Sequence, residues 1–244
     1  MITALAAFIA TACGSSSGPR PVTAFAASSL TDAFNQLKDR LPPRHPPLQL
    51  TYNFAGSQTL VQQVIQGAPA DVIATADQKT MQKLVDRGLV RQPRVFARNT
   101  LEIAVAPGNP KGIHGLADLS RGDITVVLED PSVPAGGYSQ QVLTSAHVSV
   151  KPRSLELDVR STLSKVTSGE ADAAIVYVTD VRAAGTKAFG VAIPPAQNVV
   201  ASYPIAIVKA TTHAKAAAEF IDEVLSPAGQ RVLSGDGFIP VVGN

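Results

Sequence analysis

Two segments, Phe25-Ala26-Ala27-Ser28-Ser29-Leu30-Thr31 and Phe54-Ala55-Gly56-Ser57-Gln58-Thr59-Leu60, each join a strand-like run to a hydroxyl-rich helix start. Such a turn directs the unsatisfied N–H groups of the first helical turn, and the positive end of the helix dipole, away from the chain. A serine placed there adds a hydroxyl donor to a surface already suited to an anion. Neither segment contains lysine or arginine. One Ser-rich helix start is ordinarily a cap for its own helix. Two of them, each after a β-like run, point to a shared anionic ligand held by neutral donors.

For both turns to face one guest, the chain must bring them to the same end of a sheet. Beyond Gly18 strands and helices alternate, which predicts an α/β fold with mainly parallel sheets. Strands are expected over Val22–Ala26, Leu48–Phe54, Asp71–Ala74, Leu101–Val105, Ile124–Leu128, Ala173–Tyr177 and Tyr203–Val208. Apolar residues at helical spacing (Leu30, Ala33, Phe34, Leu37, Leu41; Leu60, Val61, Val64, Ile65; Met81, Leu84, Val85) mark the intervening helices. Pro42-Pro43, Gly67, Gly88 and Gly169 supply stops, Asp158 reads as an N-cap, and two helices close the chain, through Ala216–Leu225 and around Gln230–Leu233. The strands at Leu101 and Tyr203 lie where the pattern restarts, so two lobes joined by two hinge crossings are expected: residues 20–98 plus 202–244, and residues 99–201. Tyr177 ends a buried strand, and ligands of open α/β sheets sit beyond such carboxyl ends.

Composition narrows the guest. In 244 residues, 21 Lys+Arg against 19 Asp+Glu leave a net charge of +2, too small a field for a polyanion, so nucleic acid is excluded as a partner. Aromatic residues are 5% and Trp is absent, which argues against a stacking platform for bases or sugars. The apolar run of residues 1–13 is shorter than the roughly 20 residues that cross a bilayer, and reads as a signal segment. Its small residues before the single cysteine, Cys13, form a lipobox-like site, with lipidation at Cys13 and residues 14–19 as a flexible tether. The alternative is an incidental free cysteine.

Several motifs in order resemble the periplasmic molybdate-binding proteins, the solute receptors of molybdate ABC importers. They are the two serine segments, Gly67-Ala68-Pro69-Ala70-Asp71, Ala76-Asp77-Gln78, Asp130-Pro131 with Val133-Pro134-Ala135-Gly136, Asp158-Val159-Arg160 and Ile175-Val176-Tyr177. The resemblance runs from about Val22 to the C-terminus. It implies a type II periplasmic binding-protein fold, with a tetrahedral oxyanion held between the lobes by the hydroxyls of Ser29, Ser57 and Tyr177 and by main-chain N–H groups at Ala135 and Val159. Many relatives carry alanine at the position of Ser28 and serine at that of Gly56; register favours Ser29 over Ser28 as the ligand. The further implications are molybdate or tungstate as ligand, no cofactor, a membrane permease as partner, and a monomer tethered outside the cytoplasm by lipid.

Ser29, Ser57, Ala135 and Val159 all fall at expected helix starts. With roughly half a charge at each dipole end, four helices could formally balance a dianion. Hydrogen phosphate would bring a proton with no acceptor unless Asp32, Asp158, Glu129 or Asp130 turned inward, and these acids are expected to cap helices or face solvent. No expected donor titrates near neutrality, so affinity should be flat from roughly pH 6 to pH 8. Sulfate remains an alternative guest. An enzyme is the rival from another class, but the chain lacks Gly-x-Ser-x-Gly, His-Glu-x-x-His, Walker and Gly-x-Gly-x-x-Gly motifs. Its histidines, His45, His114, His147 and His213, lack metal-ligand spacing. The effector domain of a transcription regulator shares this architecture, yet DNA-binding helices are missing.

Overall fold

The computed structural model describes residues 18–40 and 47–241. The signal segment, Cys13, most of the tether and the Pro42-Pro43 stop lie outside them. The chain opens with β1 (Arg20–Ala27), a 3-10 turn over Ser28–Leu30, α1 (Thr31–Arg40), β2 (Leu48–Ala55), α2 (Ser57–Ile65), β3 (Val72–Ala74) and α3 (Gln78–Asp86). Then come β4 (Arg94–Val105), β5 (Val126–Glu129), α4 (Pro134–Ser145), β6 (Leu155–Glu156), α5 (Val159–Thr167), β7 (Ala173–Tyr177), α6 (Val178–Ala184) and β8 (Phe189–Ala192). β9 (Val200–Ile207), α7 (Ala214–Leu225), α8 (Pro227–Gly235) and β10 (Ile239–Pro240) complete it. The helices end where left-handed backbone is needed: Gly67, Gly88 and Gly169 have φ of 87°, 66° and 80°, values that only glycine adopts without strain.

The strands form one curled sheet in the order β2-β1-β3-β9-β4-β7-β5-β6, with β8 and β10 also paired to β4. Parallel pairing is confined to its two flanks, β2-β1-β3 and β7-β5-β6. The middle is antiparallel, because β4 and β9 carry the chain across and back. The expectation of mainly parallel sheets is therefore corrected to a mixed sheet. β4 also starts earlier than its alternation suggests. Residues Arg94–Thr100 pair with β9 and Leu101–Val105 with β7 and β8. A register shift between Val95 and Ala97 leaves Phe96 and Ala97 buried in succession, which breaks the period of two.

Two apolar clusters hold the sheet to its helices. The smaller packs Leu60, Val61, Met81 and Leu84 under α2 and α3. The larger runs through the rest of the molecule and contains Phe34, Phe96, Phe220 and Tyr203, all fully buried. Phe34 stands edge-on to Phe220 at 5.8 Å, and Tyr203 edge-on to Phe238 at 5.3 Å and to Tyr177 at 5.7 Å. These T-shaped contacts fix ring orientation as well as burying area, and so hold the Tyr203 and Tyr177 hydroxyls in place. Among the described residues no helix is long and apolar enough to cross a membrane.

Candidate functional site

The carboxyl ends of β1, β2, β5 and β7 and the starts of the Ser28–Leu30 turn, α2, α4 and α5 meet at a small cavity of about 20 Å³, room for a guest of a few heavy atoms. Ser29, Ser57, Ala135, Val159 and Tyr177 all line it, together with Ser28 and Gly56. Among the described residues no lysine or arginine does.

Each wall has a local reason for presenting a donor. Ser57 is the first residue of α2, and its Oγ accepts the buried Ala76 N–H at 3.0 Å. With that lone pair occupied, its own O–H remains to be donated into the cavity. Ser29 Oγ lies 3.0 Å from Tyr203 Oη, which in turn accepts from Asn99 Nδ2 at 3.5 Å. Asn99 is anchored by donating to Thr179 Oγ1 at 2.9 Å. With Asn99 donating to Tyr203, the Tyr203 O–H can serve Ser29 and the Ser29 O–H can serve a guest, a relay in which each bond polarises the next.

The α4 start supplies main-chain donors. Pro134 occupies its first position and has no N–H, and the Gly137 N–H is taken by Val133 O at 2.9 Å. The N–H groups of Ala135 and Gly136 lie between them at the open end of the helix. Gly136 is required: a Cβ there would lie 2.0 Å from Asp130 O. At α5 the Asp158 side chain caps the N–H groups of Arg160 and Ser161 at 2.9 and 3.0 Å, which leaves that of Val159, the first helical residue. Tyr177 is 1% exposed and its Oη has no hydrogen-bond partner among the described residues. Burial pushes its ionisation well above 10, so it stays a donor at any physiological pH.

Of the acids expected to face outward, Asp158 caps α5, Asp32 pairs with Arg160, and Asp130 accepts the Ser132 N–H at 2.8 Å. Glu129 is the correction. It is 4% exposed and lines the cavity, because it ends β5 at the face where the helices converge. Reasoning from sequence also missed the Tyr203–Asn99 relay; Tyr203 was legible only as a residue of an alternating strand. Just outside the cavity, Arg160 from α5 reaches Asp32 on α1 at 2.5 Å and buried Asp180 on α6 at 3.3 Å. Gln58 Nε2 donates to Leu157 O at 2.8 Å. Gly56 permits this approach: a Cβ would stand 2.4 Å from the same carbonyl. Among the described residues no cluster of His, Cys, Asp or Glu could hold a metal ion.

The chain has relatives among known proteins. The chain is 40% identical over 226 residues to the molybdate-binding protein ModA of Mycobacterium tuberculosis, spanning 92% of this chain and 87% of that one. Its fold matches the periplasmic molybdate-binding protein of Azotobacter vinelandii with a TM-score of 0.73 at 20% identity, covering 91% of this chain and all of that one. It also matches the sulfate-binding protein SubI of M. tuberculosis with a TM-score of 0.79 at 20% identity, covering 91% and 87%. Residues 22–239 match the model of the bacterial extracellular solute-binding proteins, and the chain belongs to that family.

Proposed function

We propose that this protein captures molybdate outside the cytoplasm, holds it between two lobes with neutral hydrogen-bond donors, and delivers it to the permease of an ABC importer. The observation that carries the reading is the convergence of Ser29, Ser57, Ala135, Val159 and Tyr177 on one cavity without a cationic side chain. The identity to a molybdate-binding protein over most of both chains supports the choice of anion. The lobes are residues 20–98 with 202–244, and residues 99–201; β4 and β9 are the crossings about which they close on the guest. Lipid at Cys13 tethers the monomer to the membrane.

Physically, a fully deprotonated tetrahedral dianion accepts hydrogen bonds and donates none, so a shell made of donors suits it. Roughly five to eight charge-assisted bonds at about 1.5–3 kcal/mol each offset association costs and bring the affinity toward the nanomolar range, about −12 kcal/mol. Tungstate, nearly the same size and charge, binds the same donors. Sulfate is the second reading, favoured by the likeness to a sulfate-binding fold; it is the smaller anion, and the higher identity to a molybdate-binding protein favours molybdate over it. Isothermal titration with molybdate, tungstate, sulfate and phosphate tests the reading. Tight binding of the first two and weak binding of the others is expected, and a preference for sulfate or phosphate refutes it.

A further inference from the structure

Of the two carboxylates that line the cavity among the described residues, Glu129 is the one without a structural task. Its neighbour in the lining, Asp158, spends its carboxylate on the α5 cap. Glu129 Oε1 is buried and has no hydrogen-bond partner. As a carboxylate it would be an unpaired buried charge facing an incoming dianion. We propose that Glu129 binds the oxyanion as a neutral carboxylic acid, donating its O–H to a guest oxygen, and is thereby the residue that couples binding to protons. The inference rests on the anion-binding reading above and adds to it a ligand and a linkage.

The surroundings of Glu129 favour the neutral form from every side. Asp158 on α5 and Asp180 on α6 repel a carboxylate, Tyr177 at the end of β7 is un-ionised, and Glu156, its register partner on β6, accepts from Ser154 at 2.7 Å. The nearby cation, Arg160, is committed to Asp32 and Asp180. Burial first, and then the two aspartates, raise the Glu129 carboxyl well above its ordinary range. A bound dianion adds repulsion of the same sign. The exchange balances simply: where Glu129 is already protonated the anion enters and no proton moves; where it is ionised, one proton is taken from solvent as the anion binds, and the new O–H donates to it. A carboxylic acid thus joins the hydroxyls and amides as another uncharged donor.

The test is calorimetry of molybdate binding to the wild-type protein and to Glu129→Gln from about pH 6 to about pH 10, in paired buffers of different ionisation enthalpy. It is read with the molybdate-induced infrared difference spectrum in the carboxyl region. The wild type should show a shifted protonated-carboxyl band. Above the Glu129 titration it should also take up one proton and lose affinity about tenfold per pH unit. Glu129→Gln, whose amide still donates, should lack the band and lose both the proton uptake and the tenfold-per-unit fall in affinity at the Glu129 titration. A wild-type protein that binds molybdate with neither the band nor the proton uptake overturns the proposal, as does proton release with a preference for hydrogen phosphate, the signature of a carboxylate acceptor. These wild-type readouts stand even if the variant folds poorly. Failure to bind any of the oxyanions would instead overturn the anion-binding reading itself.

Discussion

Replacing Tyr177 by Phe separates binding from stability more cleanly than any other single change at the site. The phenol oxygen is buried and without a hydrogen-bond partner in the free protein, while the ring stands edge-on to Tyr203 at 5.7 Å. Phe keeps the ring contact and removes only the orphaned hydroxyl, whose burial without a partner costs about 1–3 kcal/mol. The free variant should therefore melt at the same temperature as the wild type or higher. Molybdate would lose one charge-assisted bond, about 1.5–3 kcal/mol, or roughly 10- to 150-fold in Kd. Thermal melts of the free protein with calorimetry of the complex read both quantities. A lowered melting temperature with unchanged affinity would show that the hydroxyl serves the fold, and would refute its assignment to the anion.

Ser57→Ala should behave differently, because Ser57 Oγ accepts the buried Ala76 N–H. Here stability falls by about 1–3 kcal/mol as that N–H is orphaned and affinity falls as well; a change in affinity alone would contradict the bond. Gly56→Ala places a Cβ 2.4 Å from Leu157 O, so the β6–α5 connection must retreat. Calorimetry should show weaker molybdate binding and thermal melts a lowered melting temperature, and full affinity with an unshifted melt would show that the two segments need not approach. Asp180 is pushed up to about 7 from 3.8, mainly by burial and against the pull of Arg160. The folded protein thus holds that proton more tightly than the unfolded chain between these values. Stability from urea titrations should therefore rise as pH falls from about 8 to about 5, and Asp180→Asn should flatten that slope; equal slopes would contradict the assignment.

What could be read from the sequence follows from how locally each feature is encoded. The helix starts at Ser57, Pro134 and Val159 carry their signals within a few residues, as serine, proline or an aspartate cap, and the structure places helices there. The expected site residues meet at one cavity because each sits at the end of its strand or in the turn or helix start that follows it. α6 was not expected, since Val178 follows Tyr177 with no break in the apolar run. β8, short and partly exposed at Phe189, has no alternation to reveal it. The bulge at Phe96 hid the first half of β4. The inward turn of Glu129 and the relay from Asn99 through Tyr203 to Ser29 join residues far apart in the chain, over 174 positions in the last bond. Only tertiary packing decides such contacts. The same packing permits the Arg160 links to Asp32 and Asp180.

A molybdate-soaked crystal measured at the molybdenum absorption edge tests the central claim directly, because the anomalous signal locates the metal atom of the anion independently of any assumption about its ligands. The account predicts a single peak in the cavity between Ser29, Ser57, Ala135, Val159 and Tyr177, with hydroxyl and amide donors around its oxygens and no arginine or lysine among them. A peak elsewhere, or one neutralised by a cationic side chain or a bound metal cation, would contradict it.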